Sequence, residues 1–454
     1  MKVDFRSVDW LQFFRGYGLV PRAKRQRRNK GAELVNVYAA FDIETSTIYG
    51  SSGSNTDAHA FMYIWQFQIE DYLIIGRTWE EWLECLAILK RALEQYSVLE
   101  KIANIPMMVI WIHNAAFEFS YISGIYQFTD EECFFRDARK PIYFRMFNAF
   151  EFRCSYIQTN LSLKALTKQT GVPVKLSGQQ FDYSKVRFPW SKLSEYEEQY
   201  ATTDVSSLVQ AMKYRVQRGG DTLLTVPLTS TGYVRRECKA SLKDRYLQIN
   251  ELKPYKGENG VRIYKLLRAC FRGGNTHANR YHVGKICNDV YSYDIASSYP
   301  TQQLTKKFPM KPFKWLDGDM SIERIIMFIG LGYAVVGEYH FVNVRLKNPR
   351  EPIPYISLAR CEATDFKVDN GRILKAGYIE ISLTEIDLEI VLDTYTFDKV
   401  EIVQCMVAQK DFLPAEYREV IQDYYNKKTK LKGDDSEDGK YMYTKSKNML
   451  NSVY

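Results

Sequence analysis

Apolar runs along the chain predict buried β-strands at residues 35–45, 107–112 and 290–294. They are rich in Val, Ile, Met, Phe and Tyr, and each contains a carboxylate or leads into one. Residues 195–212 have the pattern of a helix. Farther on, an apolar strand begins at residue 373, and residues 384–390 then space their apolar positions for one helical face.

Asp42 and Glu44 are two residues apart in the first predicted strand, so their side chains point to the same face. Two carboxylates that converge at the end of a strand can bind one or two divalent ions. An Asp-x-Glu sequence is also common by chance, so this pair alone is weak evidence for a metal site.

The second predicted strand leads into residues 113–119, which contain Asn114, Phe117 and Glu118. One interpretation places Glu118 at the same metal site, with Asn114 and Phe117 facing the end of a DNA strand. The alternative is an ordinary helix N-terminus with an exposed glutamate.

Tyr200 and Asp204 are four residues apart in the predicted helix, which puts both on one face. A tyrosine hydroxyl beside a metal-binding aspartate can orient an attacking water molecule. The alternative is a surface pair without a role in chemistry.

The order of these elements resembles the three motifs of the DEDD 3′–5′ exonucleases, in the subtype that carries a tyrosine. The resemblance implies an RNase H-like domain that binds Mg²⁺ or Mn²⁺ in a two-metal site through Asp42, Glu44, Glu118 and Asp204, with Tyr200 also catalytic. The family usually has Asp where this chain has Glu118. The further residues that the resemblance assigns are Thr45, Asn114, Phe117, Ser162 and Leu163 as contacts to single-stranded DNA, and Lys175 as a lysine that assists the reaction.

The third predicted strand ends on Asp294, and Pro300 suits the first turn of a following helix. A carboxylate at the end of a buried strand is well placed to hold Mg²⁺ together with substrate phosphates. The alternative is a capping aspartate in an ordinary strand-turn-helix. Near the end of the sequence, a helix would align Lys447, Asn451 and Tyr454 in one stripe.

Residues 294–300 resemble the first palm motif of family B DNA polymerases, and residues 447–454 resemble their fingers motif. Residues 271–274 resemble a Tyr-x-Gly-Gly element that contacts the template strand, with Phe271 in place of Tyr. The chain thus resembles the protein-primed family B polymerases of small bacteriophages and linear plasmids. This resemblance implies Asp294 as a metal ligand, Arg272, Gly273 and Gly274 as DNA contacts, and Tyr299, Lys447, Asn451 and Tyr454 as contacts to the incoming dNTP.

The predicted fold class is mixed α/β and α+β, an exonuclease domain followed by an incomplete polymerase palm and fingers. The third palm motif, Y-x-D-T-D, and the thumb do not follow, so we expect an N-terminal fragment or a split subunit that polymerises poorly alone and needs a C-terminal polymerase half. The predicted domains are a basic arm (1–34), the exonuclease (35–215), a connector (216–260), a partial palm (261–410) with a segment at about 305–370 that contacts a terminal primer protein, and partial fingers (411–454).

The composition is compatible with this assignment. A formal charge of +8 is a mild excess of cations that suits nucleic acid. The 8 cysteines form no metal-binding pair, no signal peptide is visible, and the longest apolar run, residues 325–337, is too short to span a bilayer. We therefore expect a protein of the host cytoplasm without membrane attachment. A stand-alone exonuclease and a non-catalytic nucleic-acid-binding protein remain the alternative functions.

Overall fold

The chain forms two compact units, Met1–Tyr233 and Val234–Tyr454. The computed structural model describes residues 1–22, 33–49, 58–172, 182, 185–242, 257–318, 320–348 and 354–453.

A mixed sheet organises the N-terminal unit. Its central strands β1, β4 and β7 run parallel, and antiparallel strands extend it on both sides. Within the described residues the sheet has seven strands, in the order β3-β2-β1-β4-β7-β6-β5. The strands are β1 (Ala39–Tyr49), β2 (Ala58–Ile69), β3 (Tyr72–Gly76), β4 (Met108–Ile112), β5 (Cys133–Asp137), β6 (Lys140–Met146) and β7 (Phe150–Cys154).

Helices cover both faces of this sheet, and β1 shows the alternation that separates them. Phe41 and Ile43 share one apolar core with α2, whereas Ala40 lies in another core with α5 and α6. The strand predicted at residues 35–45 and the helix predicted at residues 195–212 are therefore confirmed as β1 and α6. The alternation along β1 places Asp42 on the face of the sheet that α6 covers. The helices are α1 (Trp10–Tyr17), α2 (Trp79–Leu99), α3 (Ala116–Ile122), α4 (Ser155–Thr159), α5 (Leu163–Thr170) and α6 (Glu195–Arg218).

The first 22 residues do not form the predicted arm. Asp9 caps α1 through its side chain, and Trp10 and Phe14 are buried in the core that α2 shares. Burial of these two aromatic side chains outweighs the cost of ordering the segment, which is why it folds with the sheet. Arg22 forms an ion pair with Glu33 at 3.1 Å. The densest basic residues of the predicted arm lie outside the described residues; they are Lys24, Arg25, Arg27, Arg28 and Lys30.

An antiparallel sheet organises the C-terminal unit, with β10 at its centre between β13 and β15. The strand β10 lies within residues 305–370, the segment predicted to contact a primer protein, so part of that segment belongs to this sheet. The strands are β8 (Phe308–Pro309), β9 (Lys314–Trp315), β10 (Tyr333–Leu346), β11 (Cys361–Thr364), β12 (Lys367–Asp369), β13 (Arg372–Thr384), β14 (Tyr395–Thr396) and β15 (Lys399–Asp411).

Helices pack on both faces of the second sheet and beside it. Ile263 of α8 packs on one face with Met406, and Leu388 of α11 packs on the other with Tyr339. The predicted connector, 216–260, contains α7, which spans the division between the units. The helices are α7 (Ser230–Leu242), α8 (Gly257–Cys270), α9 (Ser298–Thr305), α10 (Ile322–Gly330), α11 (Glu385–Thr394), α12 (Ala415–Lys430) and α13 (Glu437–Asn451).

The buried strand predicted at residues 290–294 is not formed. These residues have irregular backbone, and Tyr293 is 91% exposed. A strand needs a hydrogen-bonded neighbour, and no described segment pairs with this one. The predicted helix after it is present as α9, with Pro300 in its first turn.

The described part of the chain contains no helix with the length and apolar character needed to cross a membrane.

A buried ion pair fixes the segment before α6. Glu197 completes a capping box with Ser194 and accepts from Arg187 Nε at 2.8 Å, and the Arg187 side chain is 3% exposed. Burial acts to raise the pKa of Glu197, but hydrogen bonds from Ser194, Arg187 and Lys185 outweigh it and lower the pKa to about 2.

We predict that Glu197→Gln destabilises the protein at pH 7 by roughly 3 kcal/mol, because Arg187 then remains buried without its partner. Since the folded pKa is lowered, this stabilisation is present above the ordinary glutamate pKa and disappears as the pH falls towards 2. Thermal unfolding between pH 3 and pH 7 measures the difference. Glu198→Gln is the control, because the Glu198–Lys2 pair is exposed. Equal stability of the two variants at pH 7 would contradict the prediction.

Candidate active site

A cleft in the N-terminal unit brings together six of the predicted site residues. Its volume is about 280 Å³, and β1, α5 and α6 line most of it. The predicted residues in its lining are Asp42, Glu44, Phe117, Leu163, Tyr200 and Asp204.

Asp42 and Glu44 stand where β1 enters this cleft. Asp42 lies opposite Gln66 on β2, and Glu44 lies opposite Ile64. The pairing register shifts directly after Glu44, so that Thr45 pairs with Met62 and Tyr63 is bypassed. Such a bulge changes the direction of the strand and is frequent beside active sites. Thr45, a predicted DNA contact, therefore lies half-buried at the bulge.

Glu118 belongs to this cluster, although the alternative interpretation placed it on the surface. It lies in the first turn of α3 and is 2% exposed, and its side chain hydrogen bonds to that of Asp42. Burial, followed by the charge of Asp42, raises the pKa of Glu118 well above its ordinary value. Among the described residues, the Oε2 atom of Glu118 has no hydrogen-bond partner.

A left-handed residue makes the turn that delivers Glu118. Asn114 has φ of 64°, a conformation that Asn tolerates better than most residues, and it connects β4 to α3. Asn114 itself is exposed, and Phe117 is 43% exposed beside the cleft. Both predicted DNA contacts are therefore accessible.

Tyr200 and Asp204 come from α6. They are 4% and 6% exposed, so they do not form the surface pair that was the alternative interpretation. Leu163, at the start of α5, lines the same cleft, and the Ser162 hydroxyl caps that helix by accepting from the Ala165 amide at 3.3 Å. Lys175 lies outside the described residues.

The site contains residues that the sequence analysis missed. His113 lines the cleft, and its Nδ1 lies 3.0 Å from the Ser155 hydroxyl. Gln66 is completely buried opposite Asp42, and within the described residues neither atom of its amide has a hydrogen-bond partner. A signal for Gln66 existed, because it is a polar residue in the apolar run of β2.

Tyr63 is the third missed residue. It is 2% exposed, and burial, followed by the charge of Glu44, raises the pKa of its hydroxyl. A neutral phenol therefore lies near Glu44. Its position depends on the bulge in the β1–β2 pairing, which the sequence pattern did not predict.

The predicted polymerase residues lie in the C-terminal unit, on elements that pack together. Asp294, in the irregular segment before α9, and Tyr299, in the first turn of α9, are exposed. Leu304 of α9 packs in the apolar cluster of α12 and α13. Lys428 of α12 donates to the Ser297 hydroxyl at 2.6 Å. Lys447 and Asn451 lie one turn apart on α13, as predicted, and Tyr454 lies outside the described residues.

Arg272 has a structural role that its prediction as a DNA contact did not include. It donates to the carbonyl oxygen of Ser382 at 2.7 Å, and its Nε lies 3.7 Å from Asp387. A Cβ atom added at Gly273 or Gly274 would meet no other atom within 4 Å, and neither residue adopts a positive φ. Their conformation therefore does not require glycine.

One further group of ligand-type side chains lies on the second sheet. Glu338, His340 and Glu380 bring their ligand atoms within 4.8 Å of one another. The Tyr378 hydroxyl lies 2.8 Å from His340 Nδ1 and donates a hydrogen bond to the Glu380 carboxylate at 3.0 Å. None of these residues was a predicted site residue.

Comparison with known proteins identifies the family of the C-terminal half. The family of DNA polymerases type B, organellar and viral, matches residues 240–454. No curated protein matches the chain.

Solved structures of Phi29 DNA polymerase share the fold. The complex with primer-template DNA and incoming nucleotide substrates has a TM-score of 0.61 at 16% identity, over 92% of this chain and 67% of that one. The orthorhombic crystal form has a TM-score of 0.63, with the same identity and coverage. This likeness confirms the predicted mixed fold class, and the family match shows that residues 240–454 are similar to the organellar and viral type B DNA polymerases.

Proposed function

We propose that this chain is the exonuclease, palm and fingers portion of a viral replicative DNA polymerase, and that its N-terminal unit is a 3′–5′ proofreading exonuclease. The observation that carries the proposal is the cleft in which Asp42, Glu44, Tyr200 and Asp204 meet, with buried Glu118 against Asp42. A cluster of carboxylates in a cleft, in which burial and a neighbouring charge raise the pKa of one member, is typical of a functional site.

The side chains of the cleft fit divalent cations. Every candidate ligand is a carboxylate oxygen, the donor that Mg²⁺ and Mn²⁺ prefer. Glu118 and Asp42 are held together although both are acidic, and the Oε2 atom of Glu118 has no hydrogen-bond partner within the described residues. Asp42, Glu44, Glu118 and Asp204 would hold the ions. When bound, the ions would supply an activated water and stabilise the departing 3′ oxygen.

The remaining residues of the cleft would position the DNA. Tyr200 would orient the attacking water through its hydroxyl group. Phe117, which is partly exposed, and Leu163 would contact the terminal nucleotide, and Thr45, Asn114 and Ser162 would contact the adjacent strand. Lys175 would assist the reaction.

For synthesis, we propose that Asp294 is one of the carboxylates at the polymerase site. Tyr299 would contact the sugar of the dNTP, Lys447 its phosphates, and Asn451 and Tyr454 the nascent base pair. Gly273 and Gly274 would approach the template strand. A terminal protein would prime synthesis against the 305–370 segment, in the cytoplasm of an infected host.

We predict that Asp42→Asn slows degradation of 5′-labelled single-stranded DNA at least about 100-fold in Mg²⁺ or Mn²⁺, which corresponds to about 2.7 kcal/mol in the barrier. The variant loses one candidate metal ligand. Asp294→Asn is the control, and it should degrade DNA at the wild-type rate. If Asp42→Asn retains full activity, the exonuclease site is wrongly assigned, and a non-catalytic nucleic-acid-binding role becomes the better interpretation.

We predict that Glu118→Gln stabilises the metal-free protein at high pH. Because the folded pKa of Glu118 is raised, the wild type loses stability as the pH rises through that pKa, whereas the glutamine variant has no proton to lose. In EDTA, the melting temperature of the variant should therefore fall less than that of the wild type as the pH rises from the ordinary glutamate pKa, about 4.5, to pH 9.

The same variant should gain less stability from Mn²⁺, because it has lost a candidate metal ligand. A ligand that binds only the folded state stabilises it by about 2.7 kcal/mol when the ligand concentration is 100 times the Kd. Glu80→Gln, at an exposed position of α2, is the control for both effects. A wild-type response to pH and to Mn²⁺ would contradict the assignment of Glu118.

A primer-extension assay tests the proposed polymerase function. Asp294 is the one carboxylate that the sequence assigns to this site, and a two-metal site needs more than one. We predict little extension by this chain alone, and extension when a polypeptide that carries the Y-x-D-T-D motif is added. Asp294→Asn should abolish the restored activity. Failure of every such polypeptide to restore synthesis would favour a stand-alone exonuclease.

A further inference from the structure

Three aromatic rings form a parallel stack in the N-terminal unit. The centroids of Phe61 and Phe188 are 5.4 Å apart with 17° between the ring planes, and those of Phe188 and Trp190 are 4.9 Å apart with 4° between the planes. Trp190 ends the stack and is 80% exposed. We propose that Trp190 is a stacking platform for a base of single-stranded DNA, a subsite that serves the proposed exonuclease and rests on that function.

The stack is attached to the strand that carries the candidate metal ligands. Phe61 pairs with Ser46 on β1, two residues beyond Glu44, which is about 7 Å along a strand. The backbone N–H of Arg187 donates to the Ser46 hydroxyl at 2.9 Å. The loop that carries Phe188 and Trp190 therefore begins beside the cleft.

Hydrogen bonds hold this loop in a defined conformation. Arg77 Nη2 donates to the carbonyl oxygens of Phe188 at 3.0 Å and of Ser191 at 2.9 Å. Phe188 and Ser191 close a turn around Trp190 through a 2.9 Å backbone bond. The buried pair of Arg187 and Glu197 anchors the start of the loop. The indole is thus fixed before a ligand binds, which lowers the entropic cost of binding.

The chemistry of this surface suits a nucleobase. An indole whose one face stacks on Phe188 presents its other face to solvent, so a planar ring can continue the stack. Stacking of a base on an aromatic side chain contributes about 1–3 kcal/mol and does not depend on sequence. Lys192, which follows the stack in sequence, is exposed and places positive charge near a strand backbone.

The tryptophan content of the chain permits a direct optical test. Of the 7 tryptophans, four are at most 2% exposed and two are half-buried, so Trp190 is the most exposed, and quenching that disappears in Trp190→Phe reports on it. The probe is a dodecamer of thymidylate, titrated in EDTA into the Asp42→Asn protein so that no cleavage occurs. Intrinsic fluorescence follows Trp190, and anisotropy of a labelled oligomer gives the affinity.

We predict saturable quenching in the parent protein and its loss in Trp190→Phe, which should keep most of the affinity because phenylalanine can still stack. Trp190→Ala should weaken binding roughly 5- to 150-fold, the equivalent of 1–3 kcal/mol. Phe134→Ala, which removes a 52% exposed aromatic ring from β5, should bind as the parent does. Blunt duplex DNA should cause no quenching.

Binding by Trp190→Ala within twofold of the parent would overturn the proposal and favour a protein partner or a purely structural loop. Equal losses in the Ala and Phe variants would also overturn it, because stacking would not be the cause. Since no cleavage is measured, failure here is distinct from failure of the exonuclease assignment, which the activity of Asp42→Asn decides. Melting temperatures of all variants identify any loss of binding that comes from unfolding.

Discussion

The N-terminal unit depends on one electrostatic constraint, the placement of Glu118, which is 2% exposed, against Asp42. Two unit charges at 4 Å repel by about 4 kcal/mol at an effective dielectric constant of 20, so such a pair needs a proton or a cation. The raised pKa of Glu118 reflects the cost of burial first, and then this repulsion from Asp42. The elements around the cleft maintain the pair, since β1 fixes Asp42, the β4–α3 turn delivers Glu118, and α6 adds Asp204.

Local patterns in the sequence were sufficient to predict the strand β1 and the helix α6, which carry much of this site. Alternation in β1 and the four-residue spacing of Tyr200 and Asp204 are short-range rules that the structure follows. The missed features depend on contacts between distant segments. The β1–β2 bulge brings Tyr63 to Glu44, and Phe188, on which Trp190 stacks, meets Phe61 only after the chain has folded. The burial of α1 likewise depends on its packing with α2.

The C-terminal unit shows where pattern and structure diverge. Residues 290–294 have strand-forming composition, yet their backbone is irregular because no described segment offers a hydrogen-bonded edge. Asp294 is consequently exposed, in contrast to the buried carboxylates of the N-terminal unit. Motif residues led to the type of polymerase whose family matches residues 240–454, whereas Arg272 shows that a motif residue can also serve the fold.

In the proposed function, the acidic side chains of the N-terminal cleft meet to bind divalent ions. Anomalous diffraction from crystals of this chain soaked in Mn²⁺ tests it most directly. We expect anomalous peaks beside Asp42, Glu44, Glu118 and Asp204, and we expect them to disappear or shift in Glu118→Gln. Occupied Mn²⁺ sites elsewhere, with no peak in this cleft, would contradict it.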